Sequence, residues 1–168
     1  IDAASDRHLW AQSYERDAGD VLALQLELAQ AIANEVRVKL SPDQRERLGG
    51  TRAVNPRAYE AYLRGRHAWN KRTPAEVRRA AEYFQTAIEI DPTYAAAYAG
   101  LADCCAFLYM YWDGSKSNLD SAETASRRAL ELDPDLAEAH ASRGFALALS
   151  RQYDAARPEF QTAIRLNP

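Results

Sequence analysis

Three prolines divide most of the chain into segments of related length. Pro92 and Pro134 lie 42 residues apart, and Pro134 and Pro168 lie 34 residues apart. Each follows an Asp or Asn at the end of a similar apolar stretch, and each ends a helix sharply, because proline lacks a backbone N–H and disfavours helix in the preceding residue. A 34-residue period of this kind is typical of stacked helix-turn-helix repeats. The longer spacing predicts an eight-residue insertion in the middle repeat, near residues 109–116.

These repeats resemble the tetratricopeptide (TPR) family over about residues 55–168. In the last repeat, Ala156, Phe160 and Ala163 stand at the family's Ala, Phe and Ala positions, before Pro168. The resemblance implies that the small residues let paired helices approach closely and that Phe84 and Phe160 fill the gap between one hairpin and the next. The full set of repeat-defining positions is Gly65, Ala80, Phe84, Ala87, Pro92, Leu101, Ala122, Ala129, Pro134, Gly144, Ala156, Phe160, Ala163 and Pro168.

The predicted fold is all-α, a TPR superhelix of three hairpins. Helices are expected at about 56–70, 74–90, 94–111, 116–132, 136–150 and 152–166, in an array that spans 51–168 as repeats of about 56–92, 93–134 and 135–168. The sequence departs from the family at Cys105, Ser126 and Arg143, and the first helix of the first repeat is out of phase by two or three residues. His140 stands where the family has a large packing residue, which favours a core or half-buried histidine with its hydrogen bonds satisfied.

The first 50 residues follow a different pattern. Large aromatic and small residues alternate over 8–14, which predicts a short strand, and apolar spacing predicts a helix over 21–40. Ser41-Pro42 starts a second, short helix. Residues 2–33 resemble the carboxy-terminal end of a TolB-like amino-terminal domain. The resemblance implies that 1–50 is the remnant of an α/β domain plus linker helices, in a bacterial signalling protein that carries an adenylate cyclase, kinase or winged-helix domain.

The composition limits the classes of partner. The net charge of −3 and the pI of about 5.7 argue against nucleic acid. No run of 18 apolar residues occurs, so no membrane insertion is predicted. The two cysteines, Cys104 and Cys105, are adjacent on a predicted helix, a spacing that suits neither a disulfide framework nor a metal site. Two buried or half-buried thiols in a reducing cytoplasm are expected instead.

The sequence contains no recognisable catalytic motif. It has no P-loop, no glycine-rich phosphate loop, no HExxH and no Cys/His ligand spacing, and its three histidines are scattered. We therefore predict no catalytic residues, no metal site and no cofactor, and expect that this stretch of chain is not itself an enzyme.

Family analogy places the partner-binding groove on the first helices of the hairpins. The predicted groove residues are Ala99, Asp103, Ala106, Glu138, Ala141 and Phe145. Some TPR proteins hold a carboxylate with Lys, Arg and Asn at such positions, whereas this chain has alanines and acids. The groove should therefore suit an apolar or basic helix better than a carboxylate. The alternative is a solvated face that contacts nothing, or contacts a neighbouring domain.

Two further stretches are interface candidates. The four bulky residues Tyr109, Met110, Tyr111 and Trp112 cannot all lie on one face of a helix. They form an exposed aromatic cluster or pack onto their own and the next hairpin. Residues 57–79 carry a local charge of +5, which suits an acidic partner or a solvated face with ion pairs.

The predicted function is a protein–protein interaction and scaffolding module of a bacterial signalling or regulatory protein. It would bind a protein or peptide segment in the groove or self-associate through an uncapped carboxy-terminal end. The alternative is the regulatory carboxy-terminal region of an enzyme such as an adenylate cyclase or kinase, or the sensor part of a winged-helix regulator. The chain begins at Ile1, without Met, so it is expected to be a piece of a longer cytoplasmic protein.

Overall fold

The computed structural model describes residues 55–168, which form an all-α array of six helices in three hairpins. The helices are α1 (Pro56–Trp69), α2 (Pro74–Ile90), α3 (Ala95–Tyr111), α4 (Lys116–Leu132), α5 (Ala137–Leu149) and α6 (Tyr153–Leu166). All six predicted helices are confirmed, and their bounds agree with the sequence to within one residue. The strand and helices predicted for residues 1–50 lie outside the described residues, so they stay predictions.

Each second helix ends in the same way. The N–H of Asp91 donates to the carbonyl of Ala87, and Asp133 and Asn167 make the equivalent bonds to Ala129 and Ala163. All three capping residues have extended or near-extended backbone, and a proline follows each of them. The repeated Asp/Asn-Pro dipeptide therefore acts as a local stop that does not depend on the rest of the fold.

The insertion in the middle repeat is spread over three elements. Compared with the last repeat, α3 is four residues longer than α5, the connection after it is one residue longer, and α4 is three residues longer than α6. The sequence had located the insertion in the first helix or its loop alone. Because α4 also lengthens, the hairpin stays paired along its length instead of extruding a loop.

The core is built from small residues around one large ring. Phe84 is 1% exposed, and Gly65 of α1 and Gly100 of α3 both lie against its ring. A Cβ built at Gly65 would lie 2.7 Å from the Phe84 ring, and one built at Gly100 would lie 2.6 Å from it. Buried alanines continue the packing on both sides, as Ala68, Ala80, Ala87 and Ala97. Phe84 thus packs between a helix of its own hairpin and the first helix of the next one.

Two predictions about individual side chains are also confirmed. His140 is half-buried, with Nδ1 2.6 Å from Oε2 of Glu159 and Nε2 2.8 Å from the carbonyl oxygen of Pro134. Cys104 and Cys105 are buried free thiols. Burial raises the pKa of Cys105 to about 11 and raises that of Cys104 further, so both stay protonated at neutral pH.

Candidate partner-binding face

The first helices of the three hairpins lie side by side. The rings of Trp69 on α1 and Phe107 on α3 meet edge to face, with centroids 5.1 Å apart, and Ser142 on α5 bonds to α3. We call the surface that these helices share the first-helix face. Its polar and aromatic residues are Arg66, Trp69, Arg72, Asp103, Phe107 and Glu138.

Asp103 is the partly buried carboxylate at the centre of this face. Its Oδ1 accepts a hydrogen bond of 2.7 Å from Oγ of Ser142. Burial raises the pKa of Asp103 to about 6, although the Ser142 hydrogen bond and the charges of Arg72 and Arg66 act in the opposite direction. Within residues 55–168, no Lys, Arg or His nitrogen comes within ion-pair distance of this carboxyl group.

Two arginines point to the same face and are held by aromatic rings. The guanidinium of Arg72 lies 4.0 Å from the centroid of the Trp69 ring and 5.0 Å from that of Phe107. Nη1 of Arg66 donates to the hydroxyl of Tyr62 at 3.1 Å. Neither arginine forms an ion pair with a carboxylate of the described part of the chain. A guanidinium that lies over rings, like that of Arg72, keeps its hydrogen-bonding edge available to a partner.

The predicted groove residues divide into two groups. Glu138 and Ala141 are exposed, and Asp103 and Phe145 are partly buried, so these four are open in part to a partner. Ala99 and Ala106 are 3% and 1% exposed, which corrects their assignment to the groove. The reason is close helix packing: Ala99 clusters with Ala129 and Ala139, and Ala106 clusters with Ala122 and Ala146.

The aromatic stretch is exposed over most of its length. Tyr111 is 58% exposed, Met110 44% and Trp112 39%, whereas Tyr109 is partly buried. The Tyr111 and Trp112 rings also contact Phe107, with centroids 4.5 and 5.7 Å away, so they extend the aromatic surface of the first-helix face. The Tyr111 and Trp112 rings thus pack on Phe107 of their own hairpin and still expose apolar surface.

At least three of the seven basic residues in the stretch 57–79 form ion pairs. Arg64 pairs with Glu60 at 2.6 Å, and Glu76 pairs with Lys71 at 2.9 Å and with Arg79 at 3.7 Å. The sequence did not single out Trp69 or Phe107 as site residues, and it included Arg66 and Arg72 only in the basic stretch that could meet an acidic partner. Their one sequence signal is an aromatic or basic residue near the end of a first helix, which is too common to be specific.

One curated protein is similar to this chain in sequence. No family model matches the chain. It is 33% identical over 161 residues to "Putative adenylate cyclase 3" of Rhizobium meliloti (strain 1021), an alignment that covers 93% of this chain and 27% of that protein. The chain therefore spans about a quarter of the length of this curated relative.

Two solved structures are similar in three dimensions. The second TPR of Spaghetti (RPAP3), bound to the HSP90 peptide SRMEEVD, is 23% identical with a TM-score of 0.54, and the match covers 66% of this chain and 93% of that one. A thermophilic TPR protein of Thermus thermophilus is 21% identical with a TM-score of 0.58, and the match covers 90% of this chain and 75% of that one. The chain thus has a TPR-like helical-repeat fold. The TolB-like assignment of residues 1–50 stays a prediction.

Among the described helices, none combines the length and the apolar character that crossing a membrane requires. The described residues also contain no group of three or more His, Cys, Asp or Glu side chains arranged to hold a metal ion.

Proposed function

We propose that this chain is a protein-binding module and that its first-helix face binds a segment of a protein partner. One observation carries the proposal: Asp103 is a partly buried carboxyl group at the centre of the face, with a hydroxyl partner and no cation paired to it among the described residues. A buried charge without a counter-ion costs stability. Such a group is common where function, and not folding, requires it.

The chemistry of the face defines the partner segment. A Lys or Arg side chain of the partner would supply the cation that Asp103 lacks, with the exposed carboxylate of Glu138 as a second acceptor. Apolar groups beside that cation would pack on Phe107 and Tyr111, whose rings form a continuous surface with centroids 4.5 Å apart. The TPR-like fold supports this use, since one structural neighbour was solved with a bound peptide.

A display selection tests the proposal. Random peptides are selected on the whole chain and then measured against the variants Asp103→Asn and Phe107→Ala. Enriched peptides should contain Lys or Arg and should lose about tenfold or more in affinity to each variant. Asp120→Asn is the matched control, because Asp120 lies on α4 and its side chain is 62% exposed beside Lys116. Peptides that bind all four proteins equally would show that the face is not the binding site.

A second candidate function is regulation of a cyclase within a longer protein. Its support is the relative from Rhizobium meliloti, whose alignment takes in almost the whole of this chain. In this view the repeats hold another part of a cytoplasmic bacterial signalling protein, and the enzyme active site lies elsewhere in that protein. Removing the region equivalent to 55–168 from such a cyclase should change its regulation. Unchanged activity under every condition tested would exclude this candidate.

A further inference from the structure

The first-helix face carries charges of both signs, and the two signs lie on different sides of it. Arg66 belongs to α1, and Arg72 belongs to the connection that follows α1. Asp103 lies on α3, and Glu138 lies on α5. Because the three first helices lie side by side, the cations are on the α1 side of the face and the anions are toward α5. A partner with cations alone would therefore meet like charges as well as opposite ones.

These charges influence one another without pairing. Burial raises the pKa of Asp103, and the charges of Arg72 and Arg66 oppose that rise. The pKa of Arg66 is raised first by Tyr62, to which it donates a hydrogen bond, and further by Glu138 and Asp103. Within residues 55–168, neither arginine comes within ion-pair distance of a carboxylate. Both signs of charge are therefore available to a partner.

Arg72 has the fixed position that an anion-binding group needs. Its guanidinium lies over the Trp69 ring of α1 and also near the Phe107 ring of α3, at 4.0 and 5.0 Å from the two centroids. Because the rings hold the side chain before any partner binds, pairing costs little further side-chain entropy. A guanidinium pairs best with a carboxylate, through two parallel N–H···O bonds in its own plane.

Another arginine of this chain shows the same arrangement with a carboxylate present. Arg79 on α2 lies over the Tyr83 ring, with Cζ 5.5 Å from the centroid, and its Nη1 is 3.7 Å from Oε1 of Glu76. At Arg79 the ring and the carboxylate both belong to this chain. At Arg72 the described residues supply the rings alone, so a carboxylate from a partner would complete the same arrangement.

The distance between the two sites follows from α3. Asp103 and Phe107 are four residues apart, so they lie about 6 Å apart along the helix on neighbouring turns of one face. Arg72 lies at Phe107, so a carboxylate on Arg72 and an ammonium on Asp103 would be separated by roughly one helical turn. This separation corresponds to about three or four residues in a helical segment and about two in an extended one.

We propose that the first-helix face binds a segment that carries an acidic residue close to its basic residue, with Arg72 as the site for the acidic side chain. The acidic residue lies toward α1 and the basic residue toward α5, so the two charges together fix the direction of the segment. This assignment rests on the proposed function, because it adds an anion site beside the Asp103 cation site. The sequence expected a groove unsuited to carboxylates from positions on α3 and α5 alone, and those positions do not include Arg72.

A selection with a fixed cation tests the assignment. Peptides with one fixed lysine and random residues on both sides are displayed and selected on the whole chain. Asp or Glu should be enriched at about two to four residues from the lysine, and more on one side of it than on the other. Selection on Arg72→Gln should lose this enrichment. Arg79→Gln should keep it, as the matched control in which the arginine over a ring already has its carboxylate.

A double-mutant cycle then measures the contact. The probes are the most enriched peptide and its amide form, with Gln for Glu or Asn for Asp, and binding is measured by fluorescence anisotropy. The amide form should bind the wild-type chain about tenfold or more weakly, and should bind Arg72→Gln with less than about a twofold difference. Circular dichroism checks that Arg72→Gln and Arg79→Gln keep the fold.

The possible results separate this assignment from the proposed function. Peptides that need Asp103 but show no acidic preference would overturn the assignment and leave the proposed function standing. So would an acidic residue that contributes equally to binding by the wild type and by Arg72→Gln. Peptides that bind Asp103→Asn as tightly as the wild type would overturn both, because no cation site would then lie beside Arg72.

Discussion

The ring of Phe84 lies against the backbone of Gly100 on the next hairpin, where a Cβ would come within 2.6 Å of Cζ. On the preceding helix Gly65 approaches the same ring, and a Cβ there would come within 2.7 Å. One side chain thus joins three helices, and both neighbouring backbones approach the ring as closely as glycine allows. The close spacing of the three helices at the first junction therefore depends on the absence of a Cβ at Gly65 and at Gly100.

Gly100→Ala should destabilise the fold. Overpacking costs about 1–3 kcal/mol, and the better helix propensity of alanine returns roughly 0.5–1 kcal/mol, so we expect a net loss on the order of 1–2 kcal/mol in the free energy of unfolding. Urea denaturation measures it. Gly114→Ala is the control, because the nearest atom to a Cβ there is the Tyr109 carbonyl oxygen at 3.9 Å. Equal stability of Gly100→Ala and the wild type would contradict the geometry.

Gly144→Ala should cost less than Gly100→Ala. A Cβ at Gly144 would lie 2.9 Å from the Phe160 ring, but this ring is 38% exposed and can move outward. We expect a loss within about 1 kcal/mol once the gain in helix propensity is included. Denaturation of the two variants under the same conditions gives the order. If Gly144→Ala were the more destabilising change, the partly exposed Phe160 ring could not be moving away from the added methyl group.

The sequence predicted the helices well because their limits depend on local chemistry. Thr73 caps α2 by accepting a hydrogen bond from the N–H of Glu76 at 3.3 Å, and Pro74 follows at the first helical position. The Asp/Asn-Pro stops act within a few residues as well. The phase of α1 was ambiguous, and the structure resolves it: Gly65 precedes Phe84 by 19 residues, whereas Gly144 precedes Phe160 by 16.

The candidate site was predictable only in part. The family's spacing predicted that Asp103 and Glu138 lie on the face. The burial of Ala99 was not predictable in this way, because it depends on Ala129 and Ala139, residues of two other helices. The position of Arg72 depends on a backbone φ of 54° in the connection after α1, which turns its side chain onto Trp69. No local pattern specifies such contacts, because they form only when separate hairpins stack.

Asp103→Asn should stabilise the chain at neutral pH and not at acidic pH. The pKa of Asp103 is raised from 3.8 to about 6, so its contribution to stability is fully present below about pH 4 and is lost as the pH rises through 6. Asparagine can still accept the Ser142 hydrogen bond but carries no charge to bury. We expect a gain on the order of 1–3 kcal/mol at pH 7.5, because one pKa unit corresponds to about 1.4 kcal/mol.

Urea denaturation between pH 4 and 8 measures this gain, which should disappear at the acidic end. Asp120→Asn is the control, since the Asp120 side chain is 62% exposed and forms only a surface ion pair, so its substitution should change the free energy of unfolding little. A wild type that is more stable than Asp103→Asn at pH 7.5 would mean that the arginines of the first-helix face more than compensate for burial. The central argument for a partner cation would then fail.

Arg72 and Arg151 form a matched pair for the arginine-ring contact. Both have positive φ, 54° and 61°, a conformation that glycine adopts at lower cost. Arg151→Gly should therefore stabilise the chain by up to about 1 kcal/mol. Arg72→Gly relieves the same strain but loses the contacts with Trp69 and Phe107, which are worth roughly 0.5–1 kcal/mol.

Thermal or urea denaturation of both variants gives the difference. The free energies of unfolding of the two variants should differ by about 0.5–1 kcal/mol, with Arg72→Gly the less stable protein. If both substitutions stabilised the chain equally, the stacking of Arg72 would contribute nothing to the folded state. Arg72 would then be a flexible cation, and a partner would have to order it on binding.

The contacts of His140 should contribute more to the free energy of unfolding than a surface ion pair does. Its ring joins Glu159 on α6 to the carbonyl of Pro134, and the side chains of His140 and Glu159 are only 14% and 26% exposed. His140→Phe keeps a ring of similar size but removes both ring nitrogens, which lie 2.6 Å from Oε2 of Glu159 and 2.8 Å from the Pro134 carbonyl oxygen, at an expected cost of about 1–3 kcal/mol. Glu131→Gln is the comparison, because it breaks the Arg128 pair, whose side chains are 46% and 53% exposed, at a cost within about 0.5 kcal/mol.

Urea denaturation of both variants at pH 7 measures these costs. A His140→Phe protein as stable as the Glu131→Gln protein would show that ring packing alone, as at the family's large residue, holds α5 against α6.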